Sequence, residues 1–398
     1  MRLCHLWLAD FRNYTTAEVD PAPDGLTVVV GANGQGKTNL LEAVGWLATL
    51  ESFRGAPDAA LVRDGALQGT AVIRAEGDRE GRALLIEAEV AASGRNRIQV
   101  NRQPLRRTRD LLGSLRVSVF APDDLALVKG GPAERRRYLD DLLVSLTIAN
   151  DALHSDLERV LRQRAALLKQ AGGRLSAEIA GTLDVWDERL ALVGTAWVEA
   201  REDLVRRLTP ELSNAYDHLA GVAVGAANST ISVSYVRSWT GRLVDALGAA
   251  RVDDVRRGVS TVGPHRDDLA LCVRAMAART HASQGEQRSL ALALRLAAHR
   301  VVTDVADSPP ILLLDDVFSE LDPDRSAALV AHLPAGQTLL TTAGDVPAGM
   351  HPDAIVKVHA GTVVPARGGG VPGGATGLVQ PGGLTSDGPF PAEGRVPA

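Results

Sequence analysis

Three stretches of this chain combine residue types and spacing that could do chemistry. The first is Gly31-Ala32-Asn33-Gly34-Gln35-Gly36-Lys37-Thr38. It follows an apolar, largely β-branched run, Leu26 to Val30, and precedes Leu40, Leu41, Val44, Leu47 and Ala48 at helical spacing. Strand, glycine loop and helix are the setting in which a G-x-x-x-x-G-K-[ST] pattern binds phosphate. The glycines let the backbone curl so that its N–H groups face phosphate oxygens, and the helix N-terminus adds its positive dipole end. Lys37 is placed to reach β- and γ-phosphates, and the Thr38 hydroxyl to help hold Mg²⁺. A glycine turn that binds nothing is the plain alternative, and the flanking pattern argues against it.

The second stretch is Ile311-Leu312-Leu313-Leu314 followed by Asp315-Asp316, a Walker B pattern. Asp315, at the carboxyl end of the strand, is expected to bind Mg²⁺ directly or through water. Asp316 is expected to orient or deprotonate the attacking water. Taken alone, the pair also fits an ordinary strand end with acidic caps. The third stretch is Ser283-Gln284-Gly285-Glu286-Gln287 at the start of a helical pattern. A serine and a glycine at a helix N-terminus offer a hydroxyl, free N–H groups and a dipole to an anion. The competing reading is an N-cap serine with its capping glutamate. Phe318-Ser319-Glu320-Leu321-Asp322 follows the Walker B pattern where ABC-type ATPases carry a D-loop.

The elements that must position these residues are legible in the periodicities. Residues 2–8 and 15–19 read as strands around the turn Asp10-Phe11-Arg12-Asn13-Tyr14. Further strand-like runs occupy 69–75, 83–90 and 97–100, the last two joined by Ser93-Gly94-Arg95-Asn96, and another covers 115–120. From about residue 132 the period becomes helical: Leu139, Leu142, Leu143, Leu146, Leu153, Leu157, Val160, Leu161 and Leu168 form one stripe, ended by Gly172-Gly173. A second stripe runs from Leu183 through Trp186, Leu190, Val193, Trp197 and Leu204 to Leu208, where Pro210 is expected to stop it. Two long helices joined by a glycine turn predict an antiparallel arm. Strands are then expected at 231–236, 269–273, 311–314, 337–342 and 354–358, with a helix over 287–302. Beyond about Pro365, glycine and proline dominate without apolar periodicity, and 366–398 reads as a disordered tail.

The composition sets limits. With 398 residues, 45% of them hydrophobic, the chain can bury a sizeable core in two or three domains. No apolar run approaches the ~20 residues of a membrane span, and residues 1–10 lack the order of a signal peptide. Cys4 and Cys272 fit a reduced cytosol and read as core thiols, although a disulfide between them is open. No Cys/His spacing suits zinc. The net charge of −5 restricts any nucleic-acid site to a local patch.

The order phosphate loop, helical insertion, signature-like helix start, Walker B and D-loop resembles the chromosome-maintenance branch of ABC ATPases. Two further stretches narrow the resemblance. Phe120-Ala121-Pro122-Asp123-Asp124-Leu125 leads through Val128-Lys129-Gly130-Gly131-Pro132 to Arg135-Arg136-Arg137-Tyr138-Leu139-Asp140, and Thr261-Val262-Gly263-Pro264-His265-Arg266-Asp267-Asp268 follows the arm. Both are similar to hallmark segments of the RecF family, and the resemblance covers about residues 1–365. It implies an α/β fold: a P-loop ABC-type ATPase head with an added antiparallel β layer and an inserted helical arm domain. The head would comprise 1–125 and 226–365, and the arm 126–225. The implied activity is that of an ATP-dependent DNA clamp at gapped single-/double-strand junctions, working with RecR and RecO to load RecA. It would be cytoplasmic and nucleoid-associated, using ATP and Mg²⁺ and hydrolysing ATP weakly as a switch. Ser283 and Gly285 would bind the γ-phosphate of a nucleotide held by a second copy, which makes an ATP-dependent homodimer. No convincing Q-loop glutamine follows the first helix, and Thr341 or Thr342 stands where many ABC enzymes carry a switch histidine.

A DNA contact has support apart from the resemblance. Arg95, Arg97, Arg102, Arg106, Arg107, Arg109, Arg116, Lys129, Arg135, Arg136 and Arg137 outnumber the acids between 95 and 137. Of these, Arg106, Arg107, Arg135, Arg136 and Arg137 are the candidate DNA contacts. Few aromatics interleave, so phosphate contact is expected rather than base stacking. A solvated arginine face, or ion pairs with the arm's acids, is the alternative. His265 and Arg266 fit a place near nucleotide, near DNA, or in a turn after Pro264. Among rival functions, another SMC-like DNA-repair ATPase stands first. A transporter's nucleotide-binding subunit conflicts with the long arm and the arginine cluster. A small-molecule kinase needs neither signature nor D-loop, and a purely structural scaffold needs no Walker pair.

Overall fold

The computed structural model describes residues 2–79, 81–105, 111, 114–220, 230–347 and 349–365. The tail 366–398, read above as disordered, lies outside the described residues, as do Arg106, Arg107 and Arg109.

The central layer is a sheet of order β15-β14-β3-β13-β12-β8. Its strands are β3 (Gly25–Val30), β8 (Val117–Phe120), β12 (Ile311–Leu314), β13 (Gln337–Thr342), β14 (Ala354–His359) and β15 (Thr362–Pro365). All neighbours are parallel except β15, which returns antiparallel on β14. The all-apolar run of β12 follows from its place between β8 and β13, where each of its four residues is buried. Alternate side chains enter two different cores. Val29, Ile311, Leu313 and Leu339 point one way and Val28, Leu312, Leu314 and Leu340 the other.

The first core is closed by a second, antiparallel sheet of order β2-β1-β4-β5-β6-β7. This layer comprises β1 (Arg2–Phe11), β2 (Tyr14–Val19), β4 (Thr70–Arg79), β5 (Arg82–Ala91), β6 (Arg97–Val100) and β7 (Gln103–Pro104). Helix α1 (Lys37–Thr49) is packed into the same core, with Leu40, Leu41, Trp46 and Leu47 almost wholly buried. Gln337 fastens the two sheets. Its side chain accepts from the Leu3 amide at 2.7 Å and donates to the Leu3 and Ala22 carbonyls at 2.7 and 2.8 Å. The antiparallel layer is the one expected, with β1 running three residues further than its apolar pattern suggested. Cys4, read as a core thiol, is instead exposed. A register shift between Leu3 and His5 turns it outward, and both cysteines are free.

The second core lies under α8 (Gln284–Ala306) and the arm. The arm departs from expectation in two places. Its first stripe is two helices, α3 (Pro132–Leu146) and α4 (Ile148–Gln170), parted by Thr147. Thr147 is extended (φ −148°, ψ 147°), and its side chain accepts from the Asn150 amide, so this β-branched residue restarts the helix as an N-cap. The second stripe does not stop at Pro210: α5 runs 44 residues, Ala177–Ala220. At 1.5 Å per residue it is about 66 Å long. Proline removes the bond to the Arg206 carbonyl, but Arg206 and Pro210 both lie on the exposed side, where water replaces it. Beyond the proline, Leu212, Ala215, Tyr216 and Leu219 are buried, and α5 packs along α8. That packing outweighs the ~3 kcal/mol cost of an internal proline.

A helix absent from the sequence reading, α6 (Leu243–Arg257), packs on α4 and α5. The strands β9 (Ile231–Val236), β10 (Asp268–Val273) and β11 (Met276–Ala277) form a third, separate sheet. It rests on α3 and α5 rather than joining the central layer. Two short helices, α2 (Ala126–Lys129) and α7 (Ala278–His281), and α9 (Pro323–Ala331) complete the chain. Among the described residues, no helix is long and apolar enough to cross a membrane.

Candidate nucleotide site

The phosphate loop connects β3 to α1 at the edge where the parallel strands end. Gly34 and Gly36 take φ of +77° and +115°, conformations closed to most side chains. Gly36 is the N-cap of α1 and supplies no side-chain cap, so the first turn of the helix keeps N–H groups for a ligand. The loop's outer side is tied down. Asn13 Nδ2 and the Gly361 amide donate to the Gln35 carbonyl at 2.9 and 3.2 Å, and the Tyr14 hydroxyl donates to the Gly36 carbonyl at 2.9 Å. The Ala360 amide donates to the Gln35 side-chain oxygen at 2.5 Å. In a trans peptide the C=O and N–H point opposite ways. Anchoring these carbonyls outward therefore turns the amides of Gly36 and Lys37 inward. Two turns, one from β1–β2 and one from β14–β15, shape the cradle. The sequence reading treated Arg12-Asn13-Tyr14 only as a turn. Its signal was an asparagine and a tyrosine, two side chains able to bond backbone, ahead of the phosphate-loop strand.

Lys37 is 7% exposed, and its Nζ donates to the Ala32 carbonyl at 2.8 Å, closing the loop on itself. Burial pushes its ammonium down from the ordinary lysine value, opposed by the carboxylates of Asp316 and Asp315. The Thr38 hydroxyl donates to Asp315 Oδ1 at 2.8 Å, although the two residues lie 277 positions apart. Thr341, on β13, donates to the same oxygen at 2.8 Å and accepts from the Asp316 amide at 2.9 Å. Burial raises the Asp315 carboxyl above its usual range, while the two hydroxyls pull it back. Asp316 follows in a left-handed conformation (φ 49°) that turns the chain into the Val317–Glu320 3-10 turn. Gly31, Ala32, Asn33, Gly34, Gln35, Gly36, Lys37, Thr38, Asp315 and Asp316 thus meet at the ends of β3 and β12, with β13 between those strands. Carboxylate and hydroxyl oxygens side by side are ligands of the kind Mg²⁺ takes.

Ser283 and Gly285 stand at the start of α8. Ser283 is its N-cap: Oγ accepts from the Glu286 amide at 3.3 Å, and Glu286 Oε2 accepts from the Ser283 amide at 2.8 Å. Arg274 pairs with Glu286 at 2.6 Å, and together these contacts hold the Glu286 carboxyl down at about 2. A capping box and a presented serine coexist here, because the exposed hydroxyl keeps a free donor.

The arginine candidates separate. Arg135 is 7% exposed; its Nε and Nη2 donate to the two Asp268 oxygens at 2.8 and 2.9 Å, and its Nη1 to the Gly130 carbonyl at 3.0 Å. Every arm of its fork is taken, so the reading of Arg135 as a DNA contact is corrected: it joins α3 to β10. Arg136 is half-buried and donates to the Asp267 carbonyl at 2.7 Å. Only Arg137 of the three is exposed, at 62%, with Glu51 and Asp141 each 3.6 Å away. Beside them Arg201 donates to both Asp140 oxygens at 2.7 Å and to the Pro264 carbonyl at 2.8 Å. Tyr235 donates to Asp267 at 2.6 Å. His265 and Arg266 both contact the Ser260 carbonyl, at 3.2 and 2.9 Å, so they secure the turn around Pro264. Burial, helped by the Arg266, Arg136 and Arg164 cations, lowers the His265 imidazole to about 4. The two hallmark segments therefore lock α3, α5 and the third sheet together.

With this geometry in place, comparison with known proteins is specific. Residues 2–342 match the family model described as the RecF/RecN/SMC N terminal domain. The chain is 44% identical to a protein of Kineococcus radiotolerans named DNA replication and repair protein RecF, over 92% of this chain and 100% of that one. It is 46% identical to the protein of that name from Frankia alni, over 87% and 95%. Among solved structures, the recombination mediator protein RecF with ATPrS, from the RecFOR pathway, aligns with a TM-score of 0.81 at 26% identity, covering 92% of this chain and 98% of that one. An Smc head domain from Pyrococcus furiosus aligns at 0.54 and 16% identity, a likeness of fold.

Proposed function

The chain belongs to the RecF family within the RecF/RecN/SMC proteins, and from that premise we propose that it is an ATP-dependent DNA-binding clamp of recombinational repair and replication-fork maintenance. The observation that carries this reading is the meeting of Thr38, Asp315 and Thr341 beside Lys37. Similarity to the solved structure of RecF with ATP supports ATP as the nucleotide.

In this reading the amides of the phosphate loop and Lys37 hold the β- and γ-phosphates, and Thr38 and Asp315 hold Mg²⁺. The bound ion would neutralise phosphate charge. Asp316 orients the attacking water, and Lys37 steadies the charge that develops on the phosphate. Thr341 fixes Asp315 and the Asp316 backbone at once, where an imidazole is absent, which suits slow hydrolysis used as a switch. Residues 1–125 and 226–365 serve as the two parts of the head, and 126–225 as the arm.

Ser283 and Gly285 of one copy complete the nucleotide site of a second copy. The resulting homodimer is two-fold symmetric and buries two nucleotides. DNA at gapped single-/double-strand junctions, with RecR and RecO, is the partner set this family membership favours, and loading of RecA the outcome. A cytoplasmic, nucleoid-bound location accords with that. Arg136 and Arg137, with Arg106 and Arg107, remain the candidate phosphate contacts. Salt-dependent binding to gapped, duplex and single-stranded DNA, with and without ATP, tests the reading. The expected result is ATP-dependent preference for gapped DNA with a steep salt slope. Equal, nucleotide-independent binding to all three would overturn it.

A further inference from the structure

At the start of α8, Gly285 is covered by an arginine from another element. A Cβ built on Gly285 would lie 2.6 Å from Arg325 Nη1, 3.1 Å from Cζ and 3.2 Å from Nη2. All three guanidinium atoms lie within 3.2 Å of that point, so the Nη end of Arg325 packs against the first turn of α8. Any residue with a Cβ at position 285 would push it away. Arg325 itself belongs to the first turn of α9. Its amide donates to Asp322 Oδ1 at 2.9 Å and its Nη1 to Asp322 Oδ2 at 2.5 Å. Asp322 ends the Phe318–Asp322 stretch, so one side chain joins the D-loop to the signature helix.

Arg274 and Arg325 both border this corner, each with a carboxylate partner of its own. Glu286, the acid of the first turn of α8, is committed to Arg274 and to the Ser283 amide. Arg325 is paired with Asp322, whose side chain is 46% exposed, and its own side chain is 28% exposed. Its Nε is buried without a partner. Within Ser283–Gly285 the donors offered to an anion are neutral: the Ser283 hydroxyl, the Gln284 amide group and backbone N–H groups.

We propose that Arg325 is a phosphate-binding residue acting across the dimer: beside Ser283, it contacts the terminal phosphate of the nucleotide held by a second copy. The proposal rests on the reading of an ATP-sandwiched dimer. A guanidinium fork matches phosphate oxygens, and a charge-assisted bond is roughly twice as strong as a neutral one. ADP lacks that phosphate and leaves Arg325 to Asp322 alone. Arg325 therefore makes association sensitive to which nucleotide is bound.

Action across the dimer supplies the test. In a mixture of Lys37→Ala chains and Ser283→Arg chains, a single composite site can form. The Ser283→Arg chain brings the nucleotide and the Lys37→Ala chain brings the signature. Sedimentation equilibrium with ATP and with ADP reads the association. Arg325→Gln added to the Lys37→Ala chain is expected to weaken it roughly ten- to hundredfold. The same change in the Ser283→Arg chain should cost nothing further, and Arg325→Lys should fall between. The Arg325 amide still bonds Asp322 in these variants, so thermal melting should show α9 intact. Equal losses from both placements would assign Arg325 a local packing role and overturn the proposal. If wild-type chains associate with ATP and neither placement matters, Arg325 alone is overturned. If wild-type chains do not associate with ATP at all, the dimer reading itself falls.

Discussion

Thr341 donates a 2.8 Å hydrogen bond to Asp315 across two neighbouring parallel strands, and the same hydroxyl accepts from the amide of Asp316. One oxygen thus sets both residues of the Walker B end. Thr341→Val keeps the shape and deletes the hydroxyl. A bond to a charged group is worth about 1.5–3 kcal/mol. The expected outcome is a Mg²⁺-dependent loss of ATP hydrolysis with nucleotide binding in EDTA unchanged, read by turnover and calorimetry.

Asp315 is costly to the fold. Burial raises its carboxyl above the unfolded value, so its ionisation at neutral pH opposes folding. Asp315→Asn keeps an acceptor for Thr38 and Thr341 without the charge. It should raise stability at pH 7 by on the order of 1 kcal/mol while abolishing hydrolysis. The gap to wild type should close as the pH falls through the native pKa. Thermal melts across pH check the sign.

Lys37→Ala removes both the ammonium proposed to hold phosphate and the 2.8 Å bond that closes the loop on the Ala32 carbonyl. ATP affinity by calorimetry should fall at least tenfold, about 1.4 kcal/mol. Unchanged affinity would remove the phosphate-loop assignment.

The two adjacent arginines should behave oppositely. Arg135→Ala removes both bonds to Asp268, which keeps the Leu269 amide, and is expected to cost about 1–3 kcal/mol of stability, seen by urea denaturation. Arg137→Ala should leave stability within about 0.5 kcal/mol and instead flatten the salt slope of DNA binding by about 1. Retention of both slope and affinity would place Arg137 on an ordinary solvated face.

Acid should loosen the molecule through two histidines. His265 and His299 are each lowered to about 4 by burial, against an ordinary value of 6.5. A depressed histidine binds its proton more readily when unfolded. Stability should therefore fall between pH 6.5 and about 4, by up to about 1.4 kcal/mol per pH unit for each. Both ring nitrogens of His299 are buried without partners. His299→Leu should thus stabilise the protein and halve the pH slope, measured by melting at several pH values.

The local geometry of the candidate site was largely legible in the sequence, and the reasons are local. Glycines that need positive φ, an apolar strand ending in paired acids, and a serine three residues before a glutamate each announce their own geometry. What escaped depended on residues far apart. Arg135 reads as one of a basic run, and only Asp268 across the fold turns it into a buried tie. Pro210 carries a local stop signal, and packing of Tyr216 and Leu219 beneath it decides otherwise. Helix α6 spaces Leu243 and Leu247 correctly but fills the rest of its buried face with Asp254 and Val255. Asp254 answers the wholly buried Arg164, which no periodicity encodes. Thr341 looks like any strand threonine until its strand neighbour is known.

The unbroken length of α5 has a mechanical meaning. The helix lies against α8 near one end and forms the arm toward the other, so head and arm share one stiff rod. A tilt of about 5° at the α8 contact displaces the far end of a ~66 Å rod by about 6 Å. The proposed closure of two heads on nucleotide would thereby be geared up into motion at the arm's tip, and distances between spin labels placed there, with and without ATP, would register the throw of that lever.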